Sequence, residues 1–257
     1  MIALAVVASA LLLAPASPGA GVARAPASLT AAPSRLALAA GASQTIRVTN
    51  SGAEPVVVDV APAGFALSLR GRPKIVPRAA AAAASWLSIR PRRLGLPPGR
   101  AASLTVSAAL PPRAAPGDHA ALVLLTTLPR RGADLAIRMQ IGIVVVVRVP
   151  GTIVRRLELR ELRVRRLGAR RLLELSVANR GNVSERLEQG RVRVLFRRRG
   201  RVVAKLRAPA REVLPRTSGI DEIRYRGRLR GWVTAVVEVA SSERAADVLQ
   251  RTFRIRL

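Results

Sequence analysis

The sequence predicts an all-β protein: two tandem immunoglobulin-like antiparallel β-sandwich domains behind an N-terminal signal segment. Three observations predict it. Short segments alternate apolar and polar residues with period two, as strands with one buried face do. Gly, Pro and Asn clusters separate them at the spacing expected for a sandwich rather than for βαβ units. One strand–turn–strand pattern also repeats along the chain.

The elements follow in order. Ile2–Ala14 is an apolar run closed by Pro15, Pro18 and Gly19. It is shorter than the roughly 20 residues that span a bilayer, and it has the form of a secretory signal with small-residue cleavage positions between Ala16 and Ala25. Residues 1–25 are therefore expected to be removed on export, although no basic residue precedes the run. Alternation predicts strands at Thr45–Thr49, Leu104–Ser107, Ala136–Ile141, Leu173–Val177, Arg191–Val194 and Phe253–Leu257, with Ile141–Val147 as a buried β-branched strand. Turns are expected at Gly41, Asn50–Gly52, Pro97–Gly99, Pro116–Asp118, Asn179–Gly181 and Gly190. The Ala79–Ala84 run reads as a loop before Trp86.

Two segments 58 residues apart share a P-x-R-L-x-L-x-x-G pattern, Pro33–Gly41 and Pro91–Gly99, and each runs into an alternating strand. A third echo aligns Leu175, Val177, Asn179 and Gly181 with Ile46, Val48, Asn50 and Gly52. The expectation is two similar hairpins in one sandwich and one in the next. A boundary is expected near Pro150-Gly151, giving domains at 26–150 and 151–257.

Composition excludes much chemistry. The 257 residues contain no cysteine and one histidine, so no disulfide, thiolate zinc site, cysteine nucleophile or His-pair metal site can form. No hydrolase, zincin or phosphate-loop motif is present, and no cofactor is expected. Asp118-His119 reads as a surface turn whose two side chains diverge rather than as an oriented catalytic pair. Trp86 and Trp232 read as core or half-buried anchors, and Asn182-Val-Ser184 as a chance glycosylation sequon. Asp221-Glu222 reads as local compensation for the arginines that follow. The chain is expected to be non-enzymatic.

The 44 basic residues, all but Lys74 and Lys205 arginine, face 15 acids, for a net charge of +29. The arginines thicken after Gly151: 28 cations against 11 acids there, 16 against 4 before. Arg191, Arg193, Arg197, Arg198, Arg199, Arg224, Arg226, Arg228 and Arg230 form the candidate polyanion-binding set. Guanidinium groups capture phosphate and carboxylate bidentately, and at period two Arg224 to Arg230 would stand on one face of a strand. The competing reading is codon bias in a high-GC genome. Six aromatics leave few stacking platforms, which disfavours nucleic acid.

Arg35-Leu-Ala-Leu…Gly41-Ala-Ser-Gln-Thr-Ile-Arg-Val-Thr-Asn50, Trp86-Leu-Ser-Ile-Arg-Pro91…Pro97-Pro-Gly99 and Pro116-Gly-Asp-His-Ala120 resemble the cell-surface proteins that interact with WxL proteins in Gram-positive bacteria. The resemblance covers most of residues 28–183. It implies a peptidoglycan-binding-type first domain, a second sandwich, and attachment to a wall polymer or a partner surface protein. That family carries a C-terminal transmembrane helix and basic tail, whereas Arg251–Leu257 alternates as a strand, so no mature transmembrane helix is expected. Pilus chaperones of the PapD type share the two-sandwich plan and imply an alternative: a periplasmic module that lends a strand edge to a secreted subunit. Their carboxylate-anchoring Arg/Lys pair has no evident counterpart in the sequence.

Overall fold

The computed structural model describes residues 28–77, 81–128, 138–168, 170–240 and 248–257. The signal segment lies outside them. Two β-sandwiches follow one another along the chain, each with its own apolar core.

In the first, a four-stranded sheet is ordered β1 (Leu29–Ala32), β3 (Ser43–Asn50), β8 (Ala101–Ala108), β6 (Leu87–Arg90). It faces a sheet ordered β2 (Arg35–Ala39), β10 (Gln140–Val149), β9 (Gly117–Thr127), β4 (Val56–Leu67), β5 (Pro73–Val76), with β7 (Arg93–Leu96) on the far half of β4. The expected alternation fills the space between them. Ile46, Val48, Leu104 and Val106 project from one sheet, and Val123, Leu125, Ile143, Val145 and Val147 from the other, all essentially inaccessible to water.

In the second sandwich, β11 (Leu157–Leu167), β12 (Arg170–Asn179) and β17 (Ser218–Tyr225) form one sheet. Opposite lies β15 (Arg201–Arg207), β14 (Val192–Arg198), β18 (Trp232–Ala240), β19 (Val248–Arg256), and the short pair β13 (Glu185–Leu187) and β16 (Arg211–Val213) closes one side. Leu173, Leu175, Val177, Val194, Phe196 and Val237 are its fully buried centre.

Several expectations need correction. One strand pair is parallel: β2 runs beside Val144–Arg148 of β10. The repeated pattern does not make hairpins, because β2 and β3 lie in opposite sheets, as do β7 and β8. Each Gly turn instead carries the chain across the sandwich, with Gly41 at φ +73° and Gly99 at φ +69°, a region open to glycine at little cost. Residues Ala82–Trp86 form a short helix, α1, where a loop was expected, because Ala83 and Ala84 pack into the first core. Of the expected Pro116–Asp118 turn only Pro116 is a bend: β9 begins at Gly117, so His119 sits on a strand. Its ring lies against that of Trp86 in a tilted contact, centroids 4.8 Å apart, and bonds the Ala115 carbonyl through Nε2. Of the Ala136–Ile141 strand, 136–137 lie outside the described residues and β10 begins at Gln140.

The third echo has a physical basis. Asn50 and Asn179 end β3 and β12, both fully buried. Asn50 Nδ2 donates to the carbonyls of Glu54 (2.7 Å) and Leu96 (3.0 Å), while its Oδ1 accepts from Gly52 N–H. Asn179 repeats this with Val183 (2.7 Å), Val213 (3.1 Å) and Gly181 N–H. Each asparagine thus closes its own turn and ties it to the strand that crosses to the opposite side.

Candidate functional site

The outer face of the β2-β10-β9-β4-β5 sheet points at the second sandwich. Phe65 and Leu122 on that face pack against Leu214, with Ala63, Ala120 and Val144 around them. A charged cleft of about 810 Å³ opens beside this contact, lined by Phe65, Leu67 and Val144 on one wall and Arg207, Arg211 and Glu222 on the other.

Ion pairs across the junction hold the two walls. Arg35 on β2 grips Glu212 on β16 with two parallel bonds, at 2.6 and 2.7 Å. Arg70 reaches Glu222 (2.7 Å) and Glu174 (3.3 Å), and Glu222 keeps the exposed Arg70 guanidinium above its ordinary pKa. Within the first sandwich Arg148 holds Asp118 bidentately and is likewise raised, and Asp118 reaches across by accepting from Ser184 N–H at 2.9 Å. Asp118 and His119 do diverge, as expected of neighbours on a strand. The Asn182 amide donates to Pro116 and Thr152 carbonyls, so the formal sequon is committed to the junction.

Asp221 is the most unusual group in the cleft. It is fully buried, 3.2 Å from Arg211, and neither carboxylate oxygen has a hydrogen bond of good geometry. Burial pushes its pKa up to about 6, and Arg211 only partly opposes this. Arg211 in turn donates to the Leu69 and Ile220 carbonyls, and Ile220 N–H bonds Leu69 at 2.7 Å. The Asp221-Glu222 pair therefore answers Arg211, Arg70 and Arg165, not the arginines that follow it.

The second feature is an open strand edge. β2 covers β10 only from Val144 onward, and among the described residues no strand flanks Gln140–Ile143 on that side. Backbone groups alternate sides along a strand. The Met139 carbonyl accepts from Thr127 of β9, while Val144 N–H donates the other way, to Ser34. The N–H and C=O of Gln140 and Gly142 therefore point away from β9 and meet no paired strand among the described residues, as a template for one more strand.

The candidate arginines divide. Arg191 is consumed internally, donating to the Ala240 and Arg186 carbonyls, and among the described residues Arg193 reaches only the Gly190 carbonyl. The expected one-faced stripe at 224–230 does not exist. β17 stops at Tyr225, whose hydroxyl accepts Leu229 N–H and bends the following segment back. Arg224 lines the cleft, whereas Arg226, Arg228 and Arg230 stand exposed in the loop before β18. The structure brings Arg230 to Arg198, which donates to its carbonyl, at the end of the β14–β15 hairpin. Trp86 is half-buried against the first core as expected, but Trp232 is 55% exposed, with Arg254 over its ring at 4.9 Å.

Sequence reasoning passed over Arg35, Arg70, Arg211, Glu212 and the open edge. Two signals for them existed: Arg35 lies inside the repeated motif, and Gly142 interrupts a run of β-branched residues, which marks close backbone approach in strands.

No family model matches the sequence, and no curated protein matches it. Among solved structures, it is similar to a chain of a chaperone–tip adhesin complex described as vital for synergistic activation of CFA/I fimbriae biogenesis. The two share 13% identity over 88% of this chain and 98% of that one, with a TM-score of 0.52. The class 5 fimbriae chaperone CfaA aligns at 15% identity over 88% of this chain and 98% of its own (TM-score 0.49), and the E. coli chaperone DraB at 11% over 90% and 99% (TM-score 0.46). The first likeness shows a shared two-sandwich fold. The resemblance to WxL-interacting proteins gains no support from these structures.

Proposed function

We propose that the protein is an exported, non-enzymatic module that binds an extended segment of a secreted or surface protein along the open edge of β10, in the manner of a chaperone for such subunits. The observation that carries this reading is the edge itself: Gln140 and Gly142 present backbone groups with no strand partner among the described residues, beside the apolar outer face of the sheet. Strand addition uses main-chain bonds for affinity and alternate side-chain pockets for specificity, and it needs no catalytic residue. The fold shared with a chain of a chaperone–tip adhesin complex supports it. Wall-polymer binding has no comparable feature, because no described groove offers an array of stacking rings. We further take residues 1–25 as the export signal and 26–150 and 151–257 as the two domains.

The carboxylate-paired arginines in and around the junction do not carry the proposal. Arg35, Arg70, Arg148 and Arg211 are engaged by carboxylates of the same chain, so an incoming carboxylate would have to displace them.

Photo-crosslinking from position 140, in cells that make the protein, tests the reading. Gly142→Pro removes an outward N–H without touching the β9 ladder, and edge positions tolerate proline. Gly142→Ala is the control, since its methyl would meet only Leu122 at an ordinary 3.5 Å. A secreted protein crosslinked by the wild-type and alanine chains and lost with proline is expected. Equal crosslinking by all three chains would overturn the reading.

A further inference from the structure

The arginines of the second sandwich are not spread evenly over it. Four chain turns meet at the pole furthest along β11, β14 and β19: the β11–β12 hairpin, the β14–β15 hairpin, the 226–231 loop and the end of β19. Their meeting is direct. Arg166, Gly168, Arg171, Arg230 and Arg256 surround one pocket of about 370 Å³. Arg171 donates to the Leu229 carbonyl at 2.8 Å, Arg198 donates to that of Arg230, and Gly231 and Leu257 exchange two backbone bonds.

Segments 166–171, 197–202, 226–232 and 254–257 carry twelve arginines and no aspartate or glutamate. None of the twelve has a carboxylate partner among the described residues, whereas arginines nearer the junction do: Arg165 with Glu174, Arg70 with Glu222, Arg211 with Asp221. Codon bias would place arginine everywhere alike. It does not explain why acids accompany arginine at one end of this domain and are missing from the other.

Two exposed apolar side chains stand in the same pole. Leu167, at the tip of the β11–β12 hairpin, is 49% exposed, and Trp232 is 55% exposed beneath Arg254. A half-exposed tryptophan beside guanidinium groups, on converging loop tips rather than in a groove, suits a flat anionic surface with an apolar layer just beneath it. Indole settles at the headgroup level while arginines meet phosphates. A nucleic acid strand would instead call for a groove with successive stacking rings, and the pole has one exposed ring.

We propose that this pole is a docking surface for an anionic phospholipid membrane, holding the protein at a bilayer face while the β10 edge, on the other sandwich, stays open. The proposal is independent of what β10 binds. The test is flotation of the full exported chain with phosphatidylcholine vesicles, with and without phosphatidylglycerol, at low and at molar salt. The phosphatidylglycerol vesicles should retain it at low salt, with a blue shift in tryptophan emission that Trp232→Phe abolishes. Arg226→Glu with Arg228→Glu, both at exposed loop positions, should weaken retention by roughly tenfold or more, since each basic residue near such a surface contributes a several-fold gain. A thermal melt matching wild type would show the variant folded. Equal retention of the double variant would overturn the proposal. So would retention with no change in Trp232 emission, or binding to duplex DNA with no binding to vesicles.

Discussion

The two sandwiches are variations on one skeleton with different surfaces. In the first, β7 ends at Leu96, Gly99 turns the chain at φ +69°, and β8 crosses to the other sheet. In the second, β16 ends at Val213, Arg216 turns it at φ +57°, and β17 crosses over. Both turns are anchored by a buried asparagine, Asn50 or Asn179, bonded to the carbonyl of the last residue before the turn, Leu96 of β7 or Val213 of β16. What differs is the outside. The first presents an apolar sheet face and an open edge. The second turns Glu174, Glu212 and Glu222 to arginines of the first and leaves arginine without acids at its far pole. The interior carries the fold, and the outer faces carry what distinguishes the domains.

Removing the shared anchor should have the largest effect. Asn179→Ala strands two buried carbonyls and one N–H, and Asn50→Ala one buried carbonyl, one part-buried carbonyl and one N–H, each at a cost of about 3 kcal/mol. Urea unfolding should show similar losses for both, and a loss in only one would break the equivalence of the two sandwiches.

The junction should respond to pH next. Asp221 titrates at about 6 when folded, against an ordinary value of 3.8. The folded chain then holds the proton more tightly than the unfolded one, so this group's contribution is fully present below pH ~4 and is lost as pH rises towards 6, by on the order of 2–3 kcal/mol. Asp221→Asn should remove that decline, read as the difference between wild-type and variant stability across the window. A variant whose pH profile parallels the wild type would contradict the burial argument.

The smallest effect has opposite signs in the two turns. Gly99→Ala forces a side chain into the left-handed region at about 1 kcal/mol or more, whereas Arg216→Gly relieves the same conformation and should stabilise by up to about 1 kcal/mol. Like signs in thermal melts would break the parallel.

Much of this skeleton is legible in the sequence. Period-two alternation marks β3, β8, β12 and β19, and the echo of Ile46, Val48, Asn50 and Gly52 in Leu175, Val177, Asn179 and Gly181 marks the asparagine anchor, because both are local patterns. The parallel β2–β10 pair and the sheet-crossing turns are not legible, since alternation says which face is buried and not which strand lies beside it. The stripe at Arg224–Arg230 failed for a local reason: the Tyr225 hydroxyl captures Leu229 N–H and ends the strand. Trp232 misled because its partner is a cation 22 residues away, Arg254, and not the core. The cleft was hidden because Arg35 meets Glu212 across 177 residues.

The most direct test of the central claim is amide hydrogen exchange along β10, with and without the partner identified by crosslinking. Ile141 and Ile143, bonded to β9, should exchange slowly in both states, while Gln140 and Gly142 should exchange fast alone and become protected in the complex. Protection that ignores this alternation, or none at Gln140 and Gly142, would contradict strand addition at β10.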